Sequence, residues 1–376
     1  MKIATLTFQR HDNIGAMLQC YALQTTIINN GFDNEIIDYI CDAADRTFGF
    51  SSFKVKGLKK YITSCIGVIS RLPKKRAFIK FRKEKLIMTK KVDNRNIHTL
   101  GNCYDGYIVG SDNVWNSRLT GLDVNYFLDF VKDNQKKASY AASMGFSEVP
   151  KVEHEIFKSY LNSFPIITLR EKSLASDIER IVGKTATDAC DPTFFLNASD
   201  WDKLAIEPKT RRKYVLVYQM SPSYSFVRFA RDFAKRKNLA IVYVPFPYGL
   251  CKCSMKPHIG PCEWLGYVKN ASYILTDSFH GCVFASIYER NLIIKISQLG
   301  ERINNLTKML GIENRIVSTS EEAVALPEMD YTDVRKRIDA YRKAGKETLM
   351  SILRHFENIG NKEKANGDCD INIPKA

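Results

Sequence analysis

Short apolar runs alternate with longer amphipathic segments along this chain, and most of the apolar runs end in a polar turn. This alternation is typical of βαβ units, in which helices bury both faces of a parallel sheet. In the first half of the chain, the pattern predicts a helix over Ile14–Asn30. It predicts strands over Ile3–Phe8, Asn34–Tyr39, Tyr107–Val109, Lys137–Ala142, Ile166–Leu169 and Thr187–Ala189.

The pattern restarts after a polar segment, residues 197–212, where we place a domain boundary. It then predicts strands over Tyr214–Gln219, Ala240–Val244, Tyr273–Thr276 and Leu292–Ile296. We therefore predict an α/β fold with two Rossmann-like domains, residues 1–196 and 197–325, that face a central cleft. A helix within residues 326–360 is expected to pack back on the first domain, and residues 361–376 to form a flexible tail.

The composition is that of a soluble globular protein. The chain has 376 residues, of which 45% are hydrophobic and 26% charged, and this length exceeds what one hydrophobic core usually supports. The sequence shows no signal-peptide pattern and no apolar run of about 20 residues, so we expect a cytoplasmic protein. Its ten cysteines are then expected to be reduced thiols.

The formal net charge of +15 is concentrated in a basic segment, residues 54–91. This segment holds fourteen lysines and arginines and a single acid, Glu84, interleaved with apolar residues. The interleaving is typical of an amphipathic helix, or of two helices broken at Pro73, on an anionic membrane surface. A solvated basic face that packs on the domain is the alternative. We expect no nucleic-acid partner, because no recognised nucleic-acid module accompanies the charge.

The stretch from Tyr273 to Gly281 carries the densest candidate chemistry. A short strand ends there in Asp277, Ser278 and His280, and a helix is predicted to follow. A histidine at such a strand end, beside the free N–H groups of a helix, is placed to transfer protons or to bind phosphate. The alternative is a capped helix whose histidine is satisfied within the fold.

Three other strand ends carry polar residues. Asp112 and Trp115 fit a sugar site, in which the acid binds a hydroxyl and the indole packs on the ring, or an Asx turn beside a core tryptophan. Arg170 fits bidentate binding of a carboxylate or phosphate, or a surface ion pair with Glu171. Asp191 is predicted to be structural, in a turn that closes the first domain.

The common nucleotide-binding and hydrolase motifs are absent. The chain has no Gly-x-x-x-x-Gly-Lys-Ser/Thr loop, no Gly-x-Gly-x-x-Gly fingerprint and no Gly-x-Ser-x-Gly elbow. Cys251, Cys253, His258 and Cys262 are zinc-type ligands, but the Cys-x-Cys spacing is tighter than in common structural zinc sites. We therefore expect no metal and no cofactor.

Eight segments, taken together and in order, resemble the polysaccharide pyruvyl transferase family over about residues 1–320. They are Gly15–Gln24, Tyr107–Asn116, Ala138–Gly145, Leu169–Ser173, Asp191–Thr193, Glu263–Ala271, Thr276–Gly281 and Arg302–Arg315. The resemblance implies the two-domain GT-B arrangement of glycosyltransferases. It also implies transfer of pyruvate from phosphoenolpyruvate onto two hydroxyls of a sugar, which forms a cyclic ketal and releases phosphate.

The resemblance also assigns roles at the donor site. His280 matches the catalytic histidine of the family, and Arg170 matches an arginine that binds the donor. Phe279 and Gly281 flank the histidine in the same motif and are expected to contact the donor.

One position departs from the family. Better-characterised members have Arg-Leu-His-Gly where this chain has Ser-Phe-His-Gly, so Ser278 stands in place of an arginine. Serine can donate one hydrogen bond to the donor but supplies no charge. We therefore expect Arg302 or Arg315 to supply the missing charge.

The acceptor is expected to be a sugar linked to a lipid or a nucleotide, bound by Asp112, Trp115, Asn13 and Gln19. The protein would then serve exopolysaccharide or capsule synthesis, peripherally on the inner face of the cytoplasmic membrane. The missing arginine keeps a second interpretation open, which is a GT-B-type glycosyltransferase that uses a nucleotide sugar. A third is a glycan-binding relative without catalysis.

Overall fold

The structure is a computed structural model that describes residues 1–44, 58–210, 212–221, 223–245, 259–296 and 300–368. Three members of the zinc-type cluster, Cys251, Cys253 and His258, lie outside the described residues. The first residues of the basic segment and the end of the expected tail also lie outside them.

The structure confirms a mixed α/β fold built on parallel sheets. The strands are β1 (Lys2–Leu6), β2 (Asp33–Ile36), β3 (Tyr39–Ile40), β4 (Val92–Asp93), β5 (Gly106–Val109), β6 (Lys137–Ser139), β7 (Ile167–Leu169), β8 (Ala186–Asp188), β9 (Tyr214–Gln219), β10 (Ala240–Pro245), β11 (Tyr273–Thr276) and β12 (Asn291–Ile294). The helices are α1 (Ile14–Asn29), α2 (Leu58–Lys85), α3 (Ser117–Thr120), α4 (His154–Leu161), α5 (Lys172–Val182), α6 (Ala198–Asp202), α7 (Tyr224–Arg236), α8 (Pro261–Lys269), α9 (Phe279–Ile287), α10 (Glu301–Leu310), α11 (Ser320–Ala325) and α12 (Thr332–Asp368).

The first sheet has the strand order β2–β1–β5–β6, with β1 parallel to β2 and β5, and β5 parallel to β6. Isolated parallel bridges, Ala138 with Ile166 and Ala142 with Leu169, join β6 to β7, which pairs with β8. The strands β5 and β6 are buried throughout. Burial on both faces explains why β5 reads as a continuous apolar run in the sequence, whereas β6 also buries the polar residues Lys137 and Ser139.

The second sheet has the order β10–β9–β11–β12, and its strands are also parallel. Every residue of β9 is buried, as expected for an interior strand. Because the strands within each sheet run parallel, each sheet gathers its strand ends and the loops after them along one edge. These two edges carry the polar turns that the sequence pattern singled out.

One hydrophobic cluster joins the two sheets. It includes Ile3 and Ile108 from the first sheet, Leu216 and Ile274 from the second, and Phe356 from α12. The two sheets therefore share apolar packing in addition to the separate clusters on their outer faces. The division into domains at residues 196 and 197 stays a prediction.

Two predicted elements differ in detail from the structure. The predicted strand Asn34–Tyr39 is interrupted, because β2 ends at Ile36 and Tyr39 starts β3, which pairs with β4. The polar segment 197–212 contains the unpredicted helix α6. Asn197 begins it with a capping box, in which its side chain accepts from the backbone N–H of Asp200 and the Asp200 carboxylate accepts in return.

In its described part, the basic segment forms one helix, α2, so the alternative of a single helix is confirmed and that of two helices broken at Pro73 is not. Proline removes one helical hydrogen bond, but α2 continues past it and is anchored by the fully buried Phe78 and by Phe81. The Phe81 ring lies 6.2 Å from that of Tyr21 on α1. Among the described residues, no helix has the length and apolar character needed to cross a bilayer.

The long helix α12 contacts both halves of the chain. Near its start, Arg335 pairs with Glu289 after α9. Midway, Arg342 Nε donates to the carbonyl of Phe194 at 2.6 Å, and the Gly345 carbonyl accepts from the Tyr140 hydroxyl at 3.2 Å. The helix therefore holds the short 3₁₀ helix Pro192–Phe195 against the first sheet.

We predict that Gly345→Ala destabilises the fold. A Cβ at Gly345 would lie 2.3 Å from Cys190 Cβ and 3.1 Å from Phe195 Cε1, so α12 must move away from the turn that carries Asp191. Overpacking of this kind costs about 1–3 kcal/mol of unfolding free energy, measured by urea titration. Gly360→Ala, in the same helix, is the control because its Cβ would meet only Met1 Cε, at 3.9 Å. Equal stability of the two variants would contradict the prediction.

Candidate active site

The carboxyl ends of the two sheets face each other and bring their polar turns together. The first half contributes Asp112 after β5, Ser143 after β6, Arg170 directly after β7 and Asp191 after β8. The second half contributes His280, in the first turn of α9 after β11. These side chains form one buried cluster, which we call the candidate site.

Asp191 lies at the centre of the candidate site and is fully buried. Its Oδ1 accepts from the backbone N–H of Thr193 at 3.0 Å and from the Thr193 hydroxyl at 2.6 Å, which is the predicted turn role. Its Oδ2 lies 3.0 Å from Arg170 Nη1 and 3.6 Å from His280 Nε2. Asp191 therefore joins the two halves, a role that the sequence pattern did not indicate.

The contacts of Asp191 fix its ionisation. Burial alone would raise the pKa of this carboxyl, but His280, Arg170 and Thr193 outweigh burial and hold the pKa well below its usual range. The carboxylate is therefore ionised at neutral pH.

Arg170 is surrounded by acceptors. Its Nη2 donates to Ser143 Oγ at 3.0 Å, and the carboxylates of Asp112 and Glu171 lie 3.8 and 3.9 Å from its nitrogens. Its guanidinium carbon lies 5.1 Å from the ring centroid of Phe279, a cation–π contact between the two halves. Burial would lower the pKa of Arg170, but the neighbouring carboxylates raise it, so the charge is retained. The alternative of a surface ion pair is wrong, because Arg170 and Glu171 are both buried.

Glu171 adds a second buried carboxyl. It accepts from the Ser143 hydroxyl, and its Oε2 has no hydrogen-bond partner within the described part of the chain. Burial raises the pKa of Glu171, although Arg170 and Arg302 oppose the shift. This carboxyl therefore takes up a proton more readily than an exposed glutamate does.

His280 is fixed by close packing against the first half. A Cβ at Gly15, in the first turn of α1, would lie 2.1 Å from His280 Nδ1, so only glycine admits the ring. At 3.6 Å, the contact of Nε2 with Asp191 is too long for a conventional hydrogen bond. Within the described residues Nε2 has no hydrogen-bond partner. The alternative of a satisfied structural histidine is therefore disfavoured.

The rest of the His280 turn is structural. Ser278 begins α9, and its hydroxyl accepts from the backbone N–H of Gly281 at 3.3 Å. Asp277 accepts from the backbone N–H groups of Met220 and Ser221 at 2.6 and 2.9 Å. A Cβ at Gly281 would lie 2.4 Å from Thr276 Oγ1, so glycine is required for this close approach. Contact of Ser278 and Gly281 with a donor stays a prediction.

The two candidate arginines lie in different places. Arg302 is at the candidate site, with Nη1 3.4 Å from Asn113 Oδ1. Burial and the charge of Arg170 lower its pKa, whereas the carboxylates of Glu171, Asp112 and Asp191 oppose the shift. Arg315 instead donates to the Pro327 carbonyl at 2.8 Å and lies by Tyr273, at the start of β11. These contacts do not involve residues of the candidate site, so the structure does not bring the Arg315 side chain to that site.

The predicted acceptor residues also lie in different places, two on loops at the sheet edge and two in the interior. Asp112 lies at the candidate site with φ of 71°, a backbone conformation that aspartate tolerates better than most residues. Asn13 begins α1, where its side chain accepts from the Ala16 N–H at 3.3 Å, and it is only partly buried. Both residues lie on loops at the carboxyl edge of the first sheet.

Trp115 and Gln19 lie in the interior instead. Trp115 is 1% exposed, stacks on Phe127 and donates from Nε1 to the Tyr126 carbonyl at 2.9 Å. This favours the alternative of a core tryptophan. Gln19 is fully buried, and its amide donates to Thr7 Oγ1 at 3.0 Å. Sugar binding by these two residues has no support in their surroundings.

Several residues of the candidate site were not among the predicted ones. Ser143 bridges Arg170 and Glu171, and Asn113 contacts Arg302. Their positions in the sequence could have identified both residues, because Ser143 follows a predicted strand and Asn113 lies beside Asp112. Gly15 carried no chemical signal at all, since its role is to leave room for a ring.

Some solved structures have a loosely similar fold. The Methanocaldococcus jannaschii UDP-GlcNAc 2-epimerase in complex with UDP-GlcNAc and UDP is 13% identical with a TM-score of 0.48, over 90% of this chain and 99% of its own. A putative UDP-N-acetylglucosamine 2-epimerase from Listeria monocytogenes is 12% identical with a TM-score of 0.49, and the match covers 95% of this chain and 97% of the epimerase chain. SsfS6, a glycosyltransferase from Streptomyces sp. SF2575, is 10% identical with a TM-score of 0.40, over 93% and 99%. With TM-scores below 0.5, these similarities do not bear on function.

No curated protein matches the chain. A family model described as polysaccharide pyruvyl transferase does match it, over residues 13–294. This range holds most of the chain and includes Arg170, Asp191 and His280. The chain therefore belongs to the polysaccharide pyruvyl transferase family.

Proposed function

We propose that this protein transfers pyruvate from phosphoenolpyruvate onto two hydroxyls of a sugar in a surface-polysaccharide precursor. The observation that carries the proposal is the convergence of Arg170 and His280 on Asp191, with Arg302 beside them. Membership of a transferase family supports a catalytic role for this cluster.

The reaction has a fixed balance of bonds and protons. Two sugar O–H bonds break, two C–O bonds form to the enol carbon of the donor, and the C–O bond to phosphate breaks. One proton ends on the methylene carbon, which becomes a methyl group, and the other ends on the phosphate. The protein must therefore bind a polyanion and move protons between neighbouring atoms.

His280 is the group that moves protons in this proposal. Its Nε2 points to Asp191 and has no competing hydrogen bond within the described residues. The ionised Asp191 lies 3.6 Å from Nε2 and helps to hold the ring in one orientation. Asp191 is thus a positioning residue, whereas His280 contacts the reacting atoms.

Arg302 supplies the positive charge that Ser278 lacks. Arg170 already bonds Asp191 and is almost fully buried, so its main effect on a donor is electrostatic. Arg302 comes from the first turn of α10 and is only partly buried. A proton on Glu171 would make the site more positive, because it removes one of the three carboxylates near Arg170.

The same carboxylates favour a second candidate function. With all of these groups charged, the three carboxylates of Asp112, Glu171 and Asp191 outnumber the two arginines. Binding of a nucleotide sugar needs less positive charge at the reacting centre than binding of phosphoenolpyruvate does. A GT-B-type glycosyltransferase therefore remains the alternative, and thermal shift distinguishes the two, since each donor stabilises the protein only if it binds.

We predict that His280→Ala lowers kcat for phosphate release from phosphoenolpyruvate by about 10²- to 10⁴-fold, the usual contribution of one acid–base group. The assay needs a saccharide acceptor and quantifies released phosphate. His98→Ala, at an exposed position, is the matched control and should leave the rate unchanged. Unchanged turnover in His280→Ala would remove this histidine from the mechanism, and absence of phosphate release with every acceptor would contradict the proposed reaction.

We predict that Arg302→Ala raises the KM for phosphoenolpyruvate by about 10- to 100-fold, because a charged hydrogen bond is worth about 1.5–3 kcal/mol. Lys308→Ala tests the same helix at an exposed position and should leave KM unchanged. The thermal shift with phosphoenolpyruvate should shrink in Arg302→Ala only. A variant that keeps its donor affinity would show that the missing charge comes from elsewhere.

We predict that Asp191→Asn destabilises the fold by about 3 kcal/mol at pH 7, because it breaks a buried ion pair. The folded-state pKa of Asp191 is depressed, so its stabilisation is present above the unfolded value of about 4 and is lost as pH falls below it. Urea unfolding at several pH values should therefore show that the difference in unfolding free energy between wild type and Asp191→Asn becomes smaller below about pH 4. Asp333→Asn, at an exposed pair with Lys336, should cost little at any pH. If the difference in unfolding free energy stays the same as the pH falls, Asp191 contributes to stability by packing alone.

A further inference from the structure

The outward side of α2 presents basic and apolar residues together. Positions 72, 76, 79, 80 and 83 fall on one side of a helix by their spacing. We call this the basic face, and it consists of Leu72, Arg76, Ile79, Lys80 and Lys83, all of them exposed. Leu72 is 38% and Ile79 47% exposed.

The opposite side of α2 fixes this helix on the protein. Phe78 is fully buried and Phe81 is 3% exposed, and a Cβ at Gly260, just before α8, would lie 2.8 Å from Ala77 Cβ. Leu72 and Ile79 therefore stay exposed although α2 itself is packed firmly on the protein. The core of the protein does not need these two side chains.

Within the described part of the chain, the cations of the basic face have no carboxylate partner. Among the described residues, Arg76, Lys80 and Lys83 make no ion pair with a carboxylate, and Glu84 is the only acid in residues 54–91. The neighbouring Ile87, just after the helix, is 54% exposed and adds another apolar side chain. Cations around exposed aliphatic residues match a surface with anionic groups above an apolar layer.

We propose that the basic face of α2 docks on an anionic membrane surface. Leu72 and Ile79 enter the boundary between headgroups and acyl chains, and Arg76, Lys80 and Lys83 contact lipid phosphates. Nucleic acid fits less well, because the large apolar side chains of the basic face, Leu72 and Ile79, are aliphatic and offer no ring on which a base could stack.

The docked helix is linked directly to the candidate site. Arg82 donates to Asp12 Oδ1 at 3.2 Å and to the Arg10 carbonyl at 3.4 Å. Both lie on the loop before α1, whose first turn holds Gly15 against His280. If the proposed function holds, membrane docking places this loop beside a lipid-linked acceptor.

The test is sedimentation of the full-length protein with vesicles, which needs no activity. The protein should bind vesicles of equal phosphatidylcholine and phosphatidylglycerol, bind pure phosphatidylcholine weakly, and dissociate as salt rises. The triple variant Arg76→Glu/Lys80→Glu/Lys83→Glu should lose affinity on the order of 100-fold, since each basic residue near the surface contributes about fivefold. The variant Ile79→Ser should also weaken binding, with less change in salt dependence.

The control carries the same change of net charge elsewhere. Arg228→Glu/Lys151→Glu/Lys158→Glu replaces exposed residues on other elements and should keep most of the affinity, while circular dichroism verifies that both variants are folded. Equal loss in the two triple variants would overturn the proposal, because binding would then follow net charge alone. Absence of vesicle binding would overturn it too, as would duplex DNA binding that only the α2 variant loses. None of these outcomes depends on phosphoenolpyruvate, so the proposed function is judged separately.

Discussion

The ion pair between Asp191 and Arg170, with His280 3.6 Å from the same carboxylate, is the contact on which the candidate site depends. A buried carboxylate is costly unless cations and N–H donors surround it. Here Arg170 and Thr193 supply them from the first half, and His280 adds a contact from the second. Loss of Arg170 would leave the Asp191 charge without its cation in a dry interior, so the contact ties the geometry of the site to the packing of the two sheets.

Steric limits at three glycines make this geometry possible. Gly15 lets His280 approach α1, Gly281 lets α9 start close to Thr276, and Gly345 lets α12 lie against the segment before Asp191. Each glycine lies in a different helix, and all three helices border the cluster. The site therefore depends on close helix packing as much as on its charged groups.

The sequence pattern located the strands and the candidate chemistry well, because both follow from local rules. Apolar runs mark parallel strands, and the polar turns after them meet along one edge of each sheet, as Arg170 and His280 do. Properties that arise from three-dimensional packing escaped it. Trp115 fitted either a sugar platform or the core, and only its packing decides for the core, whereas the Arg315 side chain bonds the Pro327 carbonyl away from the candidate site. Asp191 looked like a turn residue because only its Oδ1 has a local partner.

The charge balance of the candidate site limits what it can bind. Two arginines meet three carboxylates there, so an incoming polyanion would gain little from a site in which all of these groups are ionised. Burial raises the pKa of Glu171, and an approaching anion raises it further, since a negative charge nearby favours the neutral carboxyl. Anion binding and protonation of Glu171 therefore favour each other. Because Ser143 bridges Glu171 and Arg170, a proton on Glu171 would also weaken the hold of this carboxyl on Arg170 and leave more of the guanidinium charge for the ligand.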